Sequence, residues 1–457
     1  MNIVLRAFLY FILSLNIFAQ TGFPALTLKA DTLIRTALRD SSGYKLLGEL
    51  CKIGPRLSGS DNSVKAAEFC RDAMIRLGYD SAWLQPVMVP RWVRGNQETA
   101  VLYSSKKKIK QLSVASLGGS VGTSGKLSAK VIEVGSYDEL KARASEAAGK
   151  IVFYNVKFDQ GVENSFQGYG KTAGYRVTGG IEAAKYGAKG FILRSITTRN
   201  DNTPHTGITY YNDTIPKIPG LAIGIQDADY LSVRLKTDKN ISLTLEMNCF
   251  NDQDAPSFNV IGEMRGIEFP DEILTVSGHL DSWDKGDGSH DDGAGCVQSI
   301  EIPELLNRTG YHPKRTVRCV LFMNEENGSR GADGYAKYIL NDGKKHLLAI
   351  ESDRGAFTPR GFTVERDTVL IQKLQKYLPL FRKAGIDWIE KGGSGADISH
   401  LKNVNALMGY VPDSQRYFDY HHSANDVFSE VNQREFELGT AAMALMVMIC
   451  DSEDLIK

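Results

Sequence analysis

Apolar strand patterns alternate with helix patterns from residue 251 to the end of the chain, and this alternation constrains the fold more than any other feature. Four short aliphatic runs predict strands, at 273–277, 316–322, 347–352 and 405–411. A strongly apolar segment at 433–450 predicts a helix packed in the core. Strands that alternate with helices are typical of a mostly parallel sheet flanked by helices. The sequence therefore predicts an α/β fold for this part of the chain.

The rest of the chain divides into two further blocks. Residues 20–116 start with helix patterns, including an amphipathic one at 62–77, and end in strand patterns. We predict that they form the first part of the domain that residues 247–457 complete. Residues 117–246 differ, because short β-rich runs at 150–154 and 190–194 stand among glycine-rich turns, without a cluster of reactive side chains. This block is predicted to be an inserted, β-rich domain.

The N-terminus carries a targeting pattern. Arg6 precedes an apolar run at 7–19 that is short for a membrane span, and polar Gln20 follows it. This pattern predicts a signal peptide at 1–19, with a retained membrane anchor as the alternative. We therefore expect a secreted or periplasmic protein that has no membrane partner after cleavage.

Charge and cysteine content exclude several classes of partner and site. Lys plus Arg and Asp plus Glu number 54 each, so the formal net charge is +0. Electrostatics therefore give no support for a nucleic-acid partner. The six cysteines include no Cys-x-x-Cys spacing, so a thiolate zinc site is not predicted.

Metal-binding side chains follow the predicted strands. His279 ends the first strand, Glu325 and Glu326 follow the second, and Asp353 follows the third. Two adjacent histidines, His421 and His422, come after the last. Because ligands of open α/β sheets bind beyond the carboxyl ends of the strands, these side chains are expected to meet. Histidine and carboxylate donors together predict a metal-dependent hydrolase.

Five motifs resemble those of the co-catalytic di-zinc exopeptidases, a family that includes bacterial leucyl aminopeptidases, and most nearly its plasma glutamate carboxypeptidase branch. The motifs are Gly-His-Leu-Asp-Ser-Trp at 278–283, Asp-Asp-Gly-Ala-Gly at 291–295, Asn-Glu-Glu-Asn-Gly at 324–328, Glu-Ser-Asp-Arg-Gly-Ala-Phe at 351–357 and His-His-Ser-Ala-Asn-Asp at 421–426. The resemblance covers nearly all of the chain after the signal peptide. It implies a zinc aminopeptidase-like fold, with the inserted block as a protease-associated domain.

The resemblance also implies roles for individual residues around two Zn²⁺ ions. Asp291 would bridge both ions, with His279 and Asp353 completing one and Glu326 and His422 the other. Glu325 would be the general base. Such a bridge holds two ions about 3.5–4 Å apart, so that a shared water loses its proton near neutral pH.

Two further carboxylates are predicted to orient the histidine ligands. Asp281 stands two residues after His279 and is expected to accept a hydrogen bond from its non-ligating nitrogen. Asp426 is expected to serve His422 in the same way.

The substrate-binding residues are less well defined. The family pattern selects the histidine directly before Ser or Thr, which is His422. His421 then stands where some relatives have a tyrosine that polarises the substrate carbonyl, so it either contacts substrate or is an ordinary buried histidine. Ser394 and Asp397 lie in a glycine-rich segment that resembles a substrate-facing loop, with a plain turn as the alternative.

The function predicted from the sequence is a secreted di-zinc exopeptidase that acts on dipeptides or short peptides. An inactive peptide-binding homologue and a single-zinc acyltransferase of the glutaminyl cyclase type are the alternatives. Because all five ligand positions and the base hold suitable residues, both alternatives are disfavoured. The sequence is compatible with an aminopeptidase, a carboxypeptidase or a dipeptidase, and with a homodimer.

Overall fold

The computed structural model describes residues 24–456, so the predicted signal peptide lies outside the described residues. The helices are α1 Pro24–Arg39, α2 Ser42–Cys51, α3 Asp61–Arg76, α4 Tyr137–Ala142, α5 Ala144–Ala147, α6 Ser165–Val177, α7 Gly179–Lys185, α8 Ile225–Thr237, α9 Ala294–Arg308, α10 Arg330–Ile339, α11 Thr368–Gln375, α12 Leu378–Phe381, α13 Tyr417–Tyr420 and α14 Gln433–Ser452. Among the described residues, no helix is both long and apolar enough to cross a membrane.

Two large sheets contain most of the strands. The strands are β1 Ser81–Val89, β2 Trp92–Val93, β3 Glu98–Ser104, β4 Lys107–Leu112, β5 Val114–Ser116, β6 Leu127–Val134, β7 Ile151–Tyr154, β8 Gly190–Arg194, β9 Gly220–Ile223, β10 Ile241–Met247, β11 Phe250–Asn251, β12 Ala255–Met264, β13 Phe269–His279, β14 Arg315–Phe322, β15 Lys345–Glu351, β16 Pro359–Val364, β17 Trp388–Lys391 and β18 Ala406–Pro412.

The first sheet has the order β1-β12-β14-β13-β15-β18-β16-β17. Its central strands β14, β13, β15 and β18 run parallel, whereas β1, β12 and β16 pair with antiparallel neighbours. All four predicted strands of the C-terminal half are present, with bounds shifted by a few residues. The predicted α/β fold with a mostly parallel centre is confirmed.

Helices on both faces bury this sheet. The predicted C-terminal helix is α14, which packs on α9 and α1 and is almost entirely buried. Its methionines Met443, Met446 and Met448 lie in the main hydrophobic core. The helix therefore has a packing role, since its apolar surface is covered on every side.

The second sheet has the order β4-β3-β10-β6-β7-β8-β9-β5 and uses only strands between Glu98 and Met247. Our predicted boundary at residue 117 is wrong for this sheet, because β3, β4 and β5 precede it. Strand β3 pairs along its whole length with β10, from Glu98 opposite Met247 to Ser104 opposite Ile241. This long-range pairing places the start of the insert near residue 98.

The insert is joined to the first sheet where the chain enters and leaves it. Strand β2 pairs with β11 there, and β1 pairs with β12 in the first sheet. The insert also shares a hydrophobic core with three aromatic residues of the segment that precedes the paired histidines: Tyr417, Phe418 and Tyr420. The insert is therefore packed firmly against the edge of the α/β domain that carries the predicted site.

Candidate metal centre

The carboxyl ends of the central strands bring the predicted ligands together. His279, the last residue of β13, stands opposite Phe322 of β14, two residues before Asn324 and the glutamate pair. Ser277 of β13 stands opposite Glu351 of β15, so Asp353 leaves the sheet at the same level. The parallel register thus makes three separate segments converge at one edge of the sheet.

The donor atoms form two groups that share Asp291. The Nε2 of His279 lies 3.2 Å from Asp291 Oδ1 and 3.3 Å from Asp353 Oδ1. The Nε2 of His422 lies 3.0 Å from Glu326 Oε2 and 3.4 Å from Asp291 Oδ2. Each oxygen of Asp291 therefore faces one group, which is the arrangement expected of a carboxylate that bridges two ions.

The properties of these side chains are those of metal ligands rather than of a polar cluster without a metal. The buried oxygens Asp291 Oδ2 and Glu326 Oε1 have no hydrogen-bond partner among residues 24–456. Burial, with the charges of neighbouring carboxylates, raises the pKa of Glu326 well above its ordinary value. Buried carboxylates without cations are costly, and imidazole and carboxylate donors suit zinc. Three sets of donor atoms in this cluster lie close enough together to surround an ion: His279 with Asp291 and Glu326, His279 with Asp292 and Asp353, and Asp291 with His421 and His422.

Glu325 lies beside the donor groups and, like Asp353, is partly exposed. Its side chain is 23% exposed, and its Oε2 lies 4.0 Å from His279 Nε2. Burial raises the pKa of this carboxyl to about 8, and the charge of Asp353 adds to the effect. A carboxylate with a raised pKa at the open side of the site can accept and return a proton.

Asp281 differs from the prediction. The Nδ1 of His279 lies 3.0 Å from the backbone carbonyl oxygen of Asp281, whereas the carboxylate oxygen is 3.9 Å away. The carbonyl therefore fixes the hydrogen on Nδ1 and leaves Nε2 free to bind a metal. The Asp281 carboxylate instead accepts the backbone N–H groups of Asn324, Glu325 and Glu326, and the Ser58 hydroxyl. It thus shapes the turn that carries both glutamates.

Asp426 also differs from the prediction. Its carboxylate accepts the Ser289 hydroxyl at 2.8 Å and the backbone N–H groups of His290 and Asp291 at 2.7 and 3.1 Å. It therefore holds the loop that presents Asp291, and the expected hydrogen bond to His422 is not formed. The Nδ1 of His422 lies instead 3.4 Å from Arg176 Nη1.

Both adjacent histidines reach the site, but their positions differ. Their rings are stacked with centroids 3.5 Å apart. His421 Nε2 lies 3.9 Å from Asp291 Oδ2, and His422 Nε2 is closer to that oxygen and also contacts Glu326. Burial lowers the pKa of His421 to about 3, so this ring is neutral. The geometry favours His422 as the ligand and leaves His421 at the edge of the site.

The segment that contains Ser394 and Asp397 adjoins the metal ligands. A cavity of about 350 Å³ is lined by Ser394 and Asp353 together. Ser394 donates a hydrogen bond to Glu365. Asp397 is buried, and its Oδ2 has no hydrogen-bond partner. The segment therefore forms part of a cavity wall next to the site.

Three residues that no sequence pattern indicated also border the site. Arg176 and Tyr169 come from helix α6 of the insert. Burial raises the pKa of Tyr417, and the charge of Asp291 adds to the effect. Arg176 and Tyr169 belong to none of the five motifs, since Tyr169 is flanked by glycines and Arg176 by Tyr175 and Val177. Only the packing of the insert on the His421–His422 segment places them here.

Comparison with known proteins agrees with this architecture. The model of Peptidase family M28 matches residues 259–447. Carboxypeptidase Q from Mus musculus is 34% identical over 90% of this chain and 86% of its own length. The crystal structure of a Peptidase M28 precursor from Shewanella amazonensis is 33% identical, with a TM-score of 0.87 over 93% of this chain and 96% of that one. A zinc aminopeptidase from Bacillus subtilis has the same fold, at 18% identity and a TM-score of 0.62 over 91% of this chain and 94% of that one.

Proposed function

The chain belongs to peptidase family M28 and is a zinc exopeptidase, and from this premise we propose that it hydrolyses dipeptides or short peptides at a two-zinc centre with Glu325 as general base. The observation that carries the proposal is the pair of donor groups that share Asp291. One oxygen of this carboxylate faces His279 and Asp353, and the other faces Glu326 and His422.

The five donors have separate tasks in this proposal. His279 and Asp353 hold one ion, Glu326 and His422 hold the second, and Asp291 binds both. Two zinc ions bound there would polarise the peptide carbonyl and bring the loss of a proton from the attacking water close to neutral pH. Asp281 and Asp426 position the ligand-bearing loops through the backbone N–H groups that they accept.

Glu325 moves the proton. Its carboxylate lies at the open side of the ligand cluster, 4.0 Å from His279 Nε2, where it can accept a proton from the attacking water. Once Glu325 has accepted that proton, it can pass it to the leaving amine. Glu326, one residue later, is more deeply buried and faces His422, so the two adjacent glutamates do not compete for one role.

We also propose a cellular location and partners for the enzyme. An N-terminal signal peptide would direct export to the periplasm or the outside of the cell. Neither a nucleic acid nor, after cleavage, a membrane is expected as a partner, and a homodimer is compatible with the chain. Determining the N-terminal residue of the exported protein tests the signal peptide, and a first residue near Gln20 is the expected result.

Replacing Glu325 tests the mechanism. Glu325→Gln keeps the shape of the side chain but cannot accept the proton, so hydrolysis of a dipeptide panel should fall roughly 10²–10⁴-fold. Zinc content, measured on the same sample by elemental analysis, should stay at two ions per chain. Glu326→Gln should instead lose zinc, because it removes a donor.

An exposed glutamate provides the matched control for these substitutions. Glu68→Gln changes an exposed glutamate on α3 and should alter neither activity nor zinc content. Dipeptide hydrolysis at the wild-type rate in Glu325→Gln would show that another group is the base. A zinc-replete wild-type protein that holds one ion per chain would refute the two-zinc centre.

A further inference from the structure

Arg176 of the insert is a buried cation without an anion. Its side chain is 4% exposed and lies beside the metal site. Its Nη2 donates to the Tyr169 hydroxyl at 2.6 Å, and its Nη1 lies 3.4 Å from His422 Nδ1. Its Nε has no hydrogen-bond partner in the part of the chain that the structure describes. Within residues 24–456, no carboxylate forms an ion pair with this guanidinium.

The other buried arginines of the described chain all have strong acceptors. Arg56 donates to three backbone carbonyls, of Leu280, Asp287 and Gly288. The remaining three form ion pairs with carboxylates: Arg194, Arg315 and Arg318. Since a buried charge is costly unless it is paired, Arg176 departs from the pattern that the rest of this protein follows.

Metal binding would leave Arg176 even less satisfied. The Nε2 of His422 faces Glu326 and Asp291, so a neutral ring that binds a metal through Nε2 keeps its hydrogen on Nδ1. An Nδ1 that carries a hydrogen cannot accept from Arg176. The Nη1 and Nε donors then both lack an acceptor, and they belong to a planar fork that suits a carboxylate.

The insert is held so that this guanidinium stays in place. The backbone N–H of Thr206 donates to the His422 carbonyl at 2.8 Å, and His205 Nδ1 lies 2.7 Å from the His421 carbonyl. Gly207 follows, and a Cβ added there would lie 2.6 Å from both Arg176 Cζ and His422 Nδ1. The chain thus brings its backbone close to both side chains, which only a glycine permits.

Tyr210 responds to the charges of both Arg176 and the proposed base. Tyr210, 47% exposed, extends from the same insert loop. Burial raises its pKa, the charge of Glu325 raises it further, and the charge of Arg176 opposes the rise. The charges of Glu325 and Arg176 therefore both act on this exposed phenol.

We propose that Arg176 binds the free α-carboxylate of the peptide substrate, so that the enzyme favours substrates with a single residue after the scissile bond. This inference rests on the proposed function and names the end of the peptide that the site recognises. Consecutive Cα atoms are about 3.8 Å apart, so the carboxylate of a dipeptide lies one residue from the carbonyl under attack. Arg176 Nη1 lies 3.4 Å from His422 Nδ1, the ring nitrogen that does not face Asp291 and Glu326.

The test compares a dipeptide with its amide. Alanyl-leucine and alanyl-leucinamide differ in the C-terminal carboxylate, so the ratio of their kcat/KM values measures its contribution. For the wild type, the ratio should favour the free acid by roughly 10- to 100-fold, the effect of a charge-assisted hydrogen bond. Arg176→Met should bring the ratio close to one by slowing hydrolysis of the free acid alone, and Arg176→Lys should restore part of it.

A binding measurement separates this inference from the proposed function. Calorimetric titration of the zinc-loaded Glu325→Gln protein with the same two peptides reports binding without hydrolysis. Tighter binding of the acid than the amide, abolished by Arg176→Met, supports the assignment even if no peptide is hydrolysed. Equal binding of both peptides by the protein with Arg176 intact would overturn it, whatever the activity.

Two controls exclude indirect effects. Arg143→Met removes an arginine of the insert that pairs with Glu139 and Glu146, and it should leave the ratio unchanged. Arg354 follows Asp353 in the chain and lies over the Phe166 ring. It is the other arginine that could bind the substrate carboxylate. If Arg354→Met rather than Arg176→Met removes the preference for the acid, the assignment is refuted. It is also refuted if Arg176→Met lowers acid and amide hydrolysis equally through loss of zinc, as elemental analysis would reveal.

Discussion

Glu301 on helix α9 is a buried carboxylate whose ionisation should weaken the folded protein. Its side chain is 3% exposed, and its Oε1 has no hydrogen-bond partner among the described residues. Burial raises its pKa to about 7, and the charges of Glu304 and Asp40 act in the same direction, while Arg308 opposes them. Glu437, on the neighbouring helix α14, has a pKa raised by burial to about 8. We predict that Glu301→Gln stabilises the protein at alkaline pH.

The sign and size of the effect follow from the raised pKa of Glu301. The folded state keeps the Glu301 proton up to pH 7, whereas the unfolded chain releases it near the ordinary pKa of 4.5, so stability falls as pH rises between these values. A pKa that is higher by one in the folded state corresponds to about 1.4 kcal/mol, so the full cost is about 3 kcal/mol at pH 8 and below about 1 kcal/mol at pH 5. Gln cannot ionise and removes this dependence. The benefit of the substitution should therefore be about 2 kcal/mol larger at pH 8 than at pH 5.

Urea unfolding of the zinc-loaded protein at the two pH values measures this difference. Comparing variant with wild type at each pH cancels contributions from the metal site and from the amide itself. Glu68→Gln, on an exposed face of α3, is the control and should give the same small change at both values. A Glu301→Gln effect that is equal at pH 5 and pH 8 would refute the reasoning, because the carboxyl would then titrate normally in the folded state.

Three further predictions concern the site. Asp281→Asn should lower the free energy of unfolding by about 2–4 kcal/mol, since an amide nitrogen cannot accept from Glu326 N–H or Ser58; unchanged urea unfolding would contradict this. Gly207→Ala should weaken zinc binding, because the new methyl group would displace His422 and the backbone has φ of 125°; an unaltered zinc affinity in a competition titration with a chelator would count against it. Chelation should lower the melting temperature, and added zinc should restore it with a plateau at two ions per chain; a plateau at one ion would argue against the paired centre.

The sequence predicted the α/β sheet and the segments that meet at its edge because both depend on local patterns. An apolar run followed by a histidine or carboxylate marks a strand end, and parallel strands place their ends together, as His279 and Asp353 show. Whether each predicted ligand binds zinc stays a prediction, because the geometry gives proximity and not metal content.

What local patterns could not predict was the direction of side chains outside regular structure. Asp281 lies two residues beyond His279, but β13 ends at that histidine, so the alternation of a strand no longer relates their side chains. Between His422 and Asp426 the chain turns through a left-handed residue, His422 with φ of 59°, so their spacing did not imply a contact. Arg176 reaches His422 across the whole interval between the insert and the C-terminal segment, for which a single sequence carries no signal.

The start of the insert was misplaced for a related reason. Strands β3 to β5 have alternation that would suit either sheet, and only the pairing of β3 with β10 assigns them to the second. Register between strands far apart in the chain depends on tertiary packing, which local periodicity does not encode.

The pairing of β1 with β12 has a consequence for how the protein is made. Val89 pairs with Ala255, and the entire insert lies between them, so the N-terminal strand emerges from the ribosome long before its partner. The insert has its own sheet, so its strands can pair before the rest of the chain is made, although its shared core with Tyr417, Phe418 and Tyr420 forms later. Once it has folded, β2 and β11 bring its two ends side by side, and closing the remaining loop costs far less entropy. A chain whose insert is slow to fold should therefore expose the N-terminal helices to aggregation or proteolysis during synthesis, even though the mature fold is unchanged.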